Sequence, residues 1–105
     1  MEQVEDTEQK TRVKTLDVTM KMLMEYIDNI EKKNGDIKCP ACSGTLWGIS
    51  HSETDPSKPA ILTTPLPFSK GRGMWAFPLI CNSCGFVITF EASKVVSILE
   101  EQGKL

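Results

Sequence analysis

The chain has 105 residues, 40% of them hydrophobic, and a formal net charge of −2. That length suits one small domain with an appendage. It contains no apolar run of about 18 residues, which excludes a membrane-spanning helix, and no basic excess of the kind expected of a protein that grips nucleic acid mainly through phosphates.

Residues 1–9 are polar and acidic and are expected to fray. The start, from Met1 to Asp6, lacks the apolar run of an export signal, so the expected location is the reducing cytoplasm. From Arg12 to Asn34 the pattern is helical. Val13, Leu16, Met20, Leu23, Ile27 and Ile30 recur in alternating steps of three and four, which marks a long amphipathic helix over about 12–34. Thr7, Thr11 and Thr15 are candidate caps. Asn34-Gly35 is the stop, since Gly adopts a left-handed cap without penalty. The stripe needs a cover. It can lie on the rest of its own chain, or pair two chains as a short coiled coil. Met24 and Tyr26 widen the stripe beyond a narrow seam. The expected partner is a second copy or another protein.

After Gly35 the character changes, which divides the chain into a 1–35 helical unit and a 36–105 unit. Cys39-Pro-Ala-Cys42 is followed by a strand-like run, Thr45 to Ser50. Residues 52–73 read as a mobile loop with four prolines and the turn Gly71-Arg72-Gly73, interrupted by a short strand at 60–63. Met74 to Ile80 is a strand that enters Cys81-Asn-Ser-Cys84, and Phe86 to Phe90 is the strand that leaves it. Pro78 cannot donate to a ladder, which places its strand at an edge or at a bulge. Ser93 is the expected cap of a last helix over about 94–102, ended by Gly103.

Cys39, Cys42, Cys81 and Cys84 are the only cysteines. Four thiolates can surround one Zn²⁺ as a tetrahedron, and a two-residue gap lets one turn present both sulfurs of a pair. Such a set fills the metal's coordination, which is the mark of a structural site. The 38 residues between the pairs imply an insertion. Its closure costs little, about 0.6 kcal/mol per doubling of loop length against roughly 10–16 kcal/mol for structural zinc. Two disulfides, or a redox dithiol, are the alternatives. A reducing compartment disfavours the first, and strands rather than helices after both pairs disfavour the second.

Cys39-Pro-Ala-Cys42, a nearby Trp47, then Cys81-Asn-Ser-Cys84-Gly85 and an aromatic strand resemble a four-cysteine zinc ribbon, and in particular small bacterial and phage zinc-ribbon proteins. The resemblance covers about Lys38 to Glu91. It implies a small α+β fold with a three-stranded antiparallel sheet and one structural zinc, and no single activity. One departure is that Gly85 follows Cys84 directly, whereas Ser43 separates Cys42 from Gly44. The first knuckle is therefore expected to close with a different turn.

On alternating positions Phe86, Ile88 and Phe90 share one strand face, read as core rather than as a stacking platform for single-stranded nucleic acid. His51 is read as a surface or hydrogen-bonding residue, because the cysteines already complete the metal. Lys58, Lys70 and Arg72 with Trp75 form the best basic patch and are the candidate nucleic-acid contacts. No nucleophile-base pair, acid pair or open metal site is legible, so the chain is not expected to be an enzyme. The expected function is a zinc-stabilised protein-interaction or adaptor module acting through its N-terminal helix. The alternatives are a nucleic-acid-binding or transcription-associated ribbon, and a phage-encoded inhibitor of a host complex.

Overall fold

The computed structural model describes residues 14–68 and 73–105. Its elements are α1 (Met20–Asn34), β1 (Trp47–Ile49), β2 (Leu62–Pro65), β3 (Gly73–Cys81), β4 (Val87–Glu91) and α2 (Ala92–Glu101). Val13, Lys70 and Arg72 lie outside the described residues. No helix among the described residues is long and apolar enough to cross a membrane.

The helix expected over 12–34 is not continuous. Residues 14–17 are helical, residues 18–19 are not, and α1 starts at Met20. Two groups fix the break. Thr19 is extended and its hydroxyl accepts from Met22 N at 3.2 Å, so Thr19 and not Thr7, Thr11 or Thr15 caps α1. The backbone N–H of Met20, which a helix leaves without an internal partner, donates to the carbonyl of Ser57 at 2.8 Å. Val18 turns inward at the break and is buried. The far end follows the sequence: Gly35 (φ 84°) donates to Glu31 O at 2.8 Å and closes the last turn.

Among the described residues the sheet is antiparallel with four strands, not three. β3 is its hub. Leu79 and Ile80 pair with Ile49 and Gly48 of β1 and also with Ile88 and Val87 of β4, so β1 and β4 lie on opposite edges of β3. Ala76 likewise pairs with both Leu62 of β2 and Glu91 of β4. Hence β1 and β2 run end to end along one edge, and β4 takes the other.

Pro78 therefore sits in the central strand, so of the two expectations, an edge or a bulge, the edge does not hold. Cys81 N donates to Phe86 O, toward β4, and Asn82 N donates to Leu46 O, toward β1. Donors alternate along an antiparallel strand, so the position of the missing Pro78 donor faces the β1–β2 edge. The registers of β1 and β2 stop at Leu79 and Ala76, and Pro78 falls in the gap between them. No ladder bond is lost there.

The described part of the 52–73 segment is more structured than its composition suggests. His51 and Pro59 form a bridge, Ala60 N donates to Ser50 O and Ser52 N to Lys58 O, both at 2.8 Å. The Asp55 carboxylate accepts from Ser57 N at 3.0 Å and Ser57 Oγ at 2.7 Å, which closes the tip. The strand expected at 60–63 forms at 62–65 instead, against β3.

β4 alternates as expected, with Ile88 and Phe90 partly buried and Val87, Thr89 and Glu91 exposed, but Phe86 is exposed rather than core. The chain runs from β4 straight into α2. Glu91, not Ser93, caps that helix: its carboxylate accepts from Lys94 N at 2.7 Å, and the Ser93 hydroxyl donates to the same carboxylate. One apolar cluster joins both helices to the sheet and includes Leu23, Tyr26 and Ile27 of α1, Phe77 and Leu79 of β3, and Val95, Val96 and Leu99 of α2. Tyr26 meets Phe90 edge-on at 6.0 Å. Lys14–Glu100 (2.7 Å) and Lys104–Glu25 (3.2 Å) tie the N-terminal segment to the C-terminal one at the surface.

This core decides where the helical stripe goes. Leu23 is 0% and Ile27 6% exposed, both covered by the chain's own sheet and α2, while Leu16 is 50% exposed. Met20 and Ile30 are intermediate.

Candidate metal centre

The four cysteines lie on two turns at one end of the sheet. β3 delivers Cys81 as its last residue, and Trp47 of β1 pairs with it. The segment between α1 and β1 delivers Cys39 and Cys42. Trp47 also anchors that segment from below, since its indole N–H donates to Ile37 O at 2.8 Å.

The two turns have the same bonding. Cys39 N donates to Gly44 O and Ser43 N to Cys39 O, both at 2.8 Å. Cys81 N donates to Phe86 O at 2.8 Å and Gly85 N to Cys81 O at 2.9 Å. The expected difference between the knuckles is therefore absent. Each needs a left-handed residue after its second cysteine, and Ser43 (φ 64°) supplies in the first what Gly85 (φ 84°) supplies in the second. In both turns the leading cysteine, Cys39 or Cys81, is buried and the trailing one, Cys42 or Cys84, is exposed.

All four sulfurs lie within 4.8 Å of one another. Cys39–Cys84 is 3.6 Å and Cys42–Cys81 is 3.5 Å, both between knuckles. Sulfurs about 2.3 Å from a common Zn²⁺ stand about 3.8 Å apart along the edges of a tetrahedron. These separations are too long for S–S bonds, which are about 2.05 Å, and are close to tetrahedral edges. The disulfide reading is not what this geometry forms. The cluster can hold a metal ion, and its all-sulfur donor set fits a thiophilic one such as zinc. Gly44 leaves room for it: a Cβ there would stand 3.2 Å from Cys42 Sγ and 3.5 Å from Cys81 Sγ.

The thiols are not equivalent. Backbone N–H donors, Cys84 first and Ser83 after burial's opposing effect, lower Cys81 to about 6. Cys42 is pushed up to about 12: Gly44 N–H lowers it, but hydrogen bonding with the Cys81 and Cys84 sulfurs and burial outweigh that. Cys84 is also raised, although Phe86 N–H is its largest single influence and acts downward; burial and the Cys39 sulfur outweigh it. A bound divalent ion would reverse the penalty on Cys42 and Cys84, since metal binding draws thiols into the thiolate form. Four thiolates and one Zn²⁺ would leave about −2 at the site.

Among the described residues, the remaining sequence candidates do not converge here. His51 is exposed, with Nδ1 3.0 Å from Ser52 O, and is not among the clustered ligands. Lys58 lies in the 51–59 hairpin and Trp75 in β3 beside Thr63. The sequence reading missed the groove bounded by α1 and β1, because its walls come from residues more than twenty apart. Comparison with known proteins returns no match: no family model, no curated protein and no solved structure matches the chain.

Proposed function

We propose that this chain is a zinc-stabilised, non-enzymatic protein-interaction module whose metal fixes the end of the sheet and whose surface docks another protein. The convergence of four sulfurs near tetrahedral spacing carries the metal part of this reading. A four-thiolate zinc has no position left for substrate, which favours a structural ion.

The interaction part rests on apolar side chains left in solvent around that end. Ile80 and Val87 are paired across β3 and β4 on the outer face, and both are exposed; Phe86 and Leu46 beside the knuckles are exposed as well. Clustered exposed apolar side chains of this kind mark binding surfaces. Docking of a different protein is favoured over pairing of two α1 helices, because Leu23 and Ile27 already have partners in their own core. The test is affinity capture from source-cell extract by the zinc-loaded chain, with a Cys39→Ser, Cys81→Ser chain as the unfolded control. A specific partner lost with the control supports the reading. Salt-dependent binding of short DNA or RNA, with no protein captured, would replace it with the nucleic-acid reading.

A further inference from the structure

We infer that the groove between α1 and β1 receives an apolar side chain flanked by a cation, presented by a peptide segment of another protein. This rests on the interaction reading above and makes it specific. Met24 of α1 and Leu46 ahead of β1 form the walls, and they are 52% and 70% exposed. Ile27 and Trp47 line the same groove. The Trp47 indole N–H donates to Ile37 O at 2.8 Å, which fixes the orientation of that ring.

Size narrows the occupant. The groove holds about 210 Å³, below the roughly 300–1,000 Å³ of cofactor and small-molecule sites. That is room for an aliphatic side chain or two, not for a cofactor. Charge narrows it further. Asp28 and Glu31 line the same groove from α1, three positions apart and so on one helix face, and no lining residue is basic. Glu31 is itself positioned, since its carboxylate accepts from Ile37 N at 3.2 Å. An apolar slot with a carboxylate rim is complementary to Leu or Met with Lys or Arg beside it, in the manner of an amphipathic segment laid in a groove.

The test uses the full zinc-loaded chain, labelled with ¹⁵N, and two synthetic amphipathic peptides. One carries Leu anchors flanked by Lys; the other has Glu in place of each Lys. The Lys peptide is expected to shift the Trp47 indole N–H and the amides of Met24 and Leu46. A variant with Asp28→Lys and Glu31→Gln, which keeps an acceptor for Ile37 N, should weaken the Lys peptide by about tenfold, within the range for two exposed ion pairs. It should also improve the Glu peptide. Equal binding of both peptides to both proteins, or shifts located elsewhere, overturns the inference. So does a concentration-dependent shift at Trp47 without peptide, which would assign the groove to a second copy. A captured partner indifferent to Asp28 and Glu31 would sink the groove while leaving the interaction reading standing; loss of both would sink the reading itself.

Discussion

Ser43 and Gly85 hold the same left-handed position in two turns with the same hydrogen bonds. Only one of them is the residue that this conformation favours. A left-handed backbone costs an ordinary L-residue roughly 1–2 kcal/mol, so the first knuckle carries a strain that the second does not. A Cβ at Gly85 would meet nothing within 4 Å, which makes the cost there purely conformational. Gly85→Ser is expected to destabilise the metal-loaded protein by about 1–2 kcal/mol. Ser43→Gly should stay within about 1 kcal/mol of wild type, because relieved strain is offset by the extra freedom of Gly in the unfolded chain. Denaturant unfolding of the two variants checks the asymmetry.

Gly44 makes a different prediction. Its added Cβ would press on Cys42 Sγ and Ser83 Oγ, each at 3.2 Å. Gly44→Ala should weaken metal retention more than it weakens the apolar core. Competition with a chelator, followed beside the near-ultraviolet signal of the aromatic residues, separates the two effects. Unchanged metal affinity would mean that the knuckle yields freely.

The α1 stripe predicts a contrast between neighbours in one pattern. Leu23→Ala removes a side chain with 0% exposure and should cost about 2–5 kcal/mol. Leu16→Ala, at a half-exposed position, should cost under about 1 kcal/mol. Unfolding midpoints at several protein concentrations check this. A Leu23→Ala penalty that vanishes at low concentration would place the stripe between two chains instead.

The 51–59 hairpin has a titratable latch. Hydrogen bonds from Ser57 Oγ first and Ser57 N second lower the Asp55 carboxyl below its usual range. The folded form therefore favours the carboxylate, and its contribution is present above the unfolded pKa and lost as pH falls through the lowered folded value. Ser57 O also accepts from Met20 N. Acidification through that range should loosen the tip and shift the Met20 amide resonance before global unfolding. Ser57→Ala should move the Asp55 titration upward, observed by NMR; no movement would remove Ser57 as the cause.

The four-cysteine cluster was legible because ligand chemistry depends on residue type and short spacing, both local. So were the end of α1 at Gly35 and the alternation of Ile88 and Phe90. What was not legible is nonlocal. The apolar steps continue from Leu16 to Met20 without a sign of the break, since the break is fixed by Thr19 together with a carbonyl from Ser57, far along the chain. Pro78 pointed to an edge or a bulge because its missing donor is visible in sequence, whereas the gap it faces between β1 and β2 is not. Ser43 gave no sign of its backbone conformation, because Ser has no left-handed preference to read.

The central claim is that one zinc holds Cys39, Cys42, Cys81 and Cys84 together and that folding depends on it. A structural zinc contributes roughly 10–16 kcal/mol, at or above the whole stability of a small domain, about 5–15 kcal/mol. The direct measurement is native mass spectrometry during chelator titration, with circular dichroism and thiol labelling on the same samples. The expected result is one zinc per chain, and loss of folded signal in step with loss of that zinc and exposure of four reactive thiols. A chain that is fully stripped, with four free thiols, and still melts as before would contradict the account.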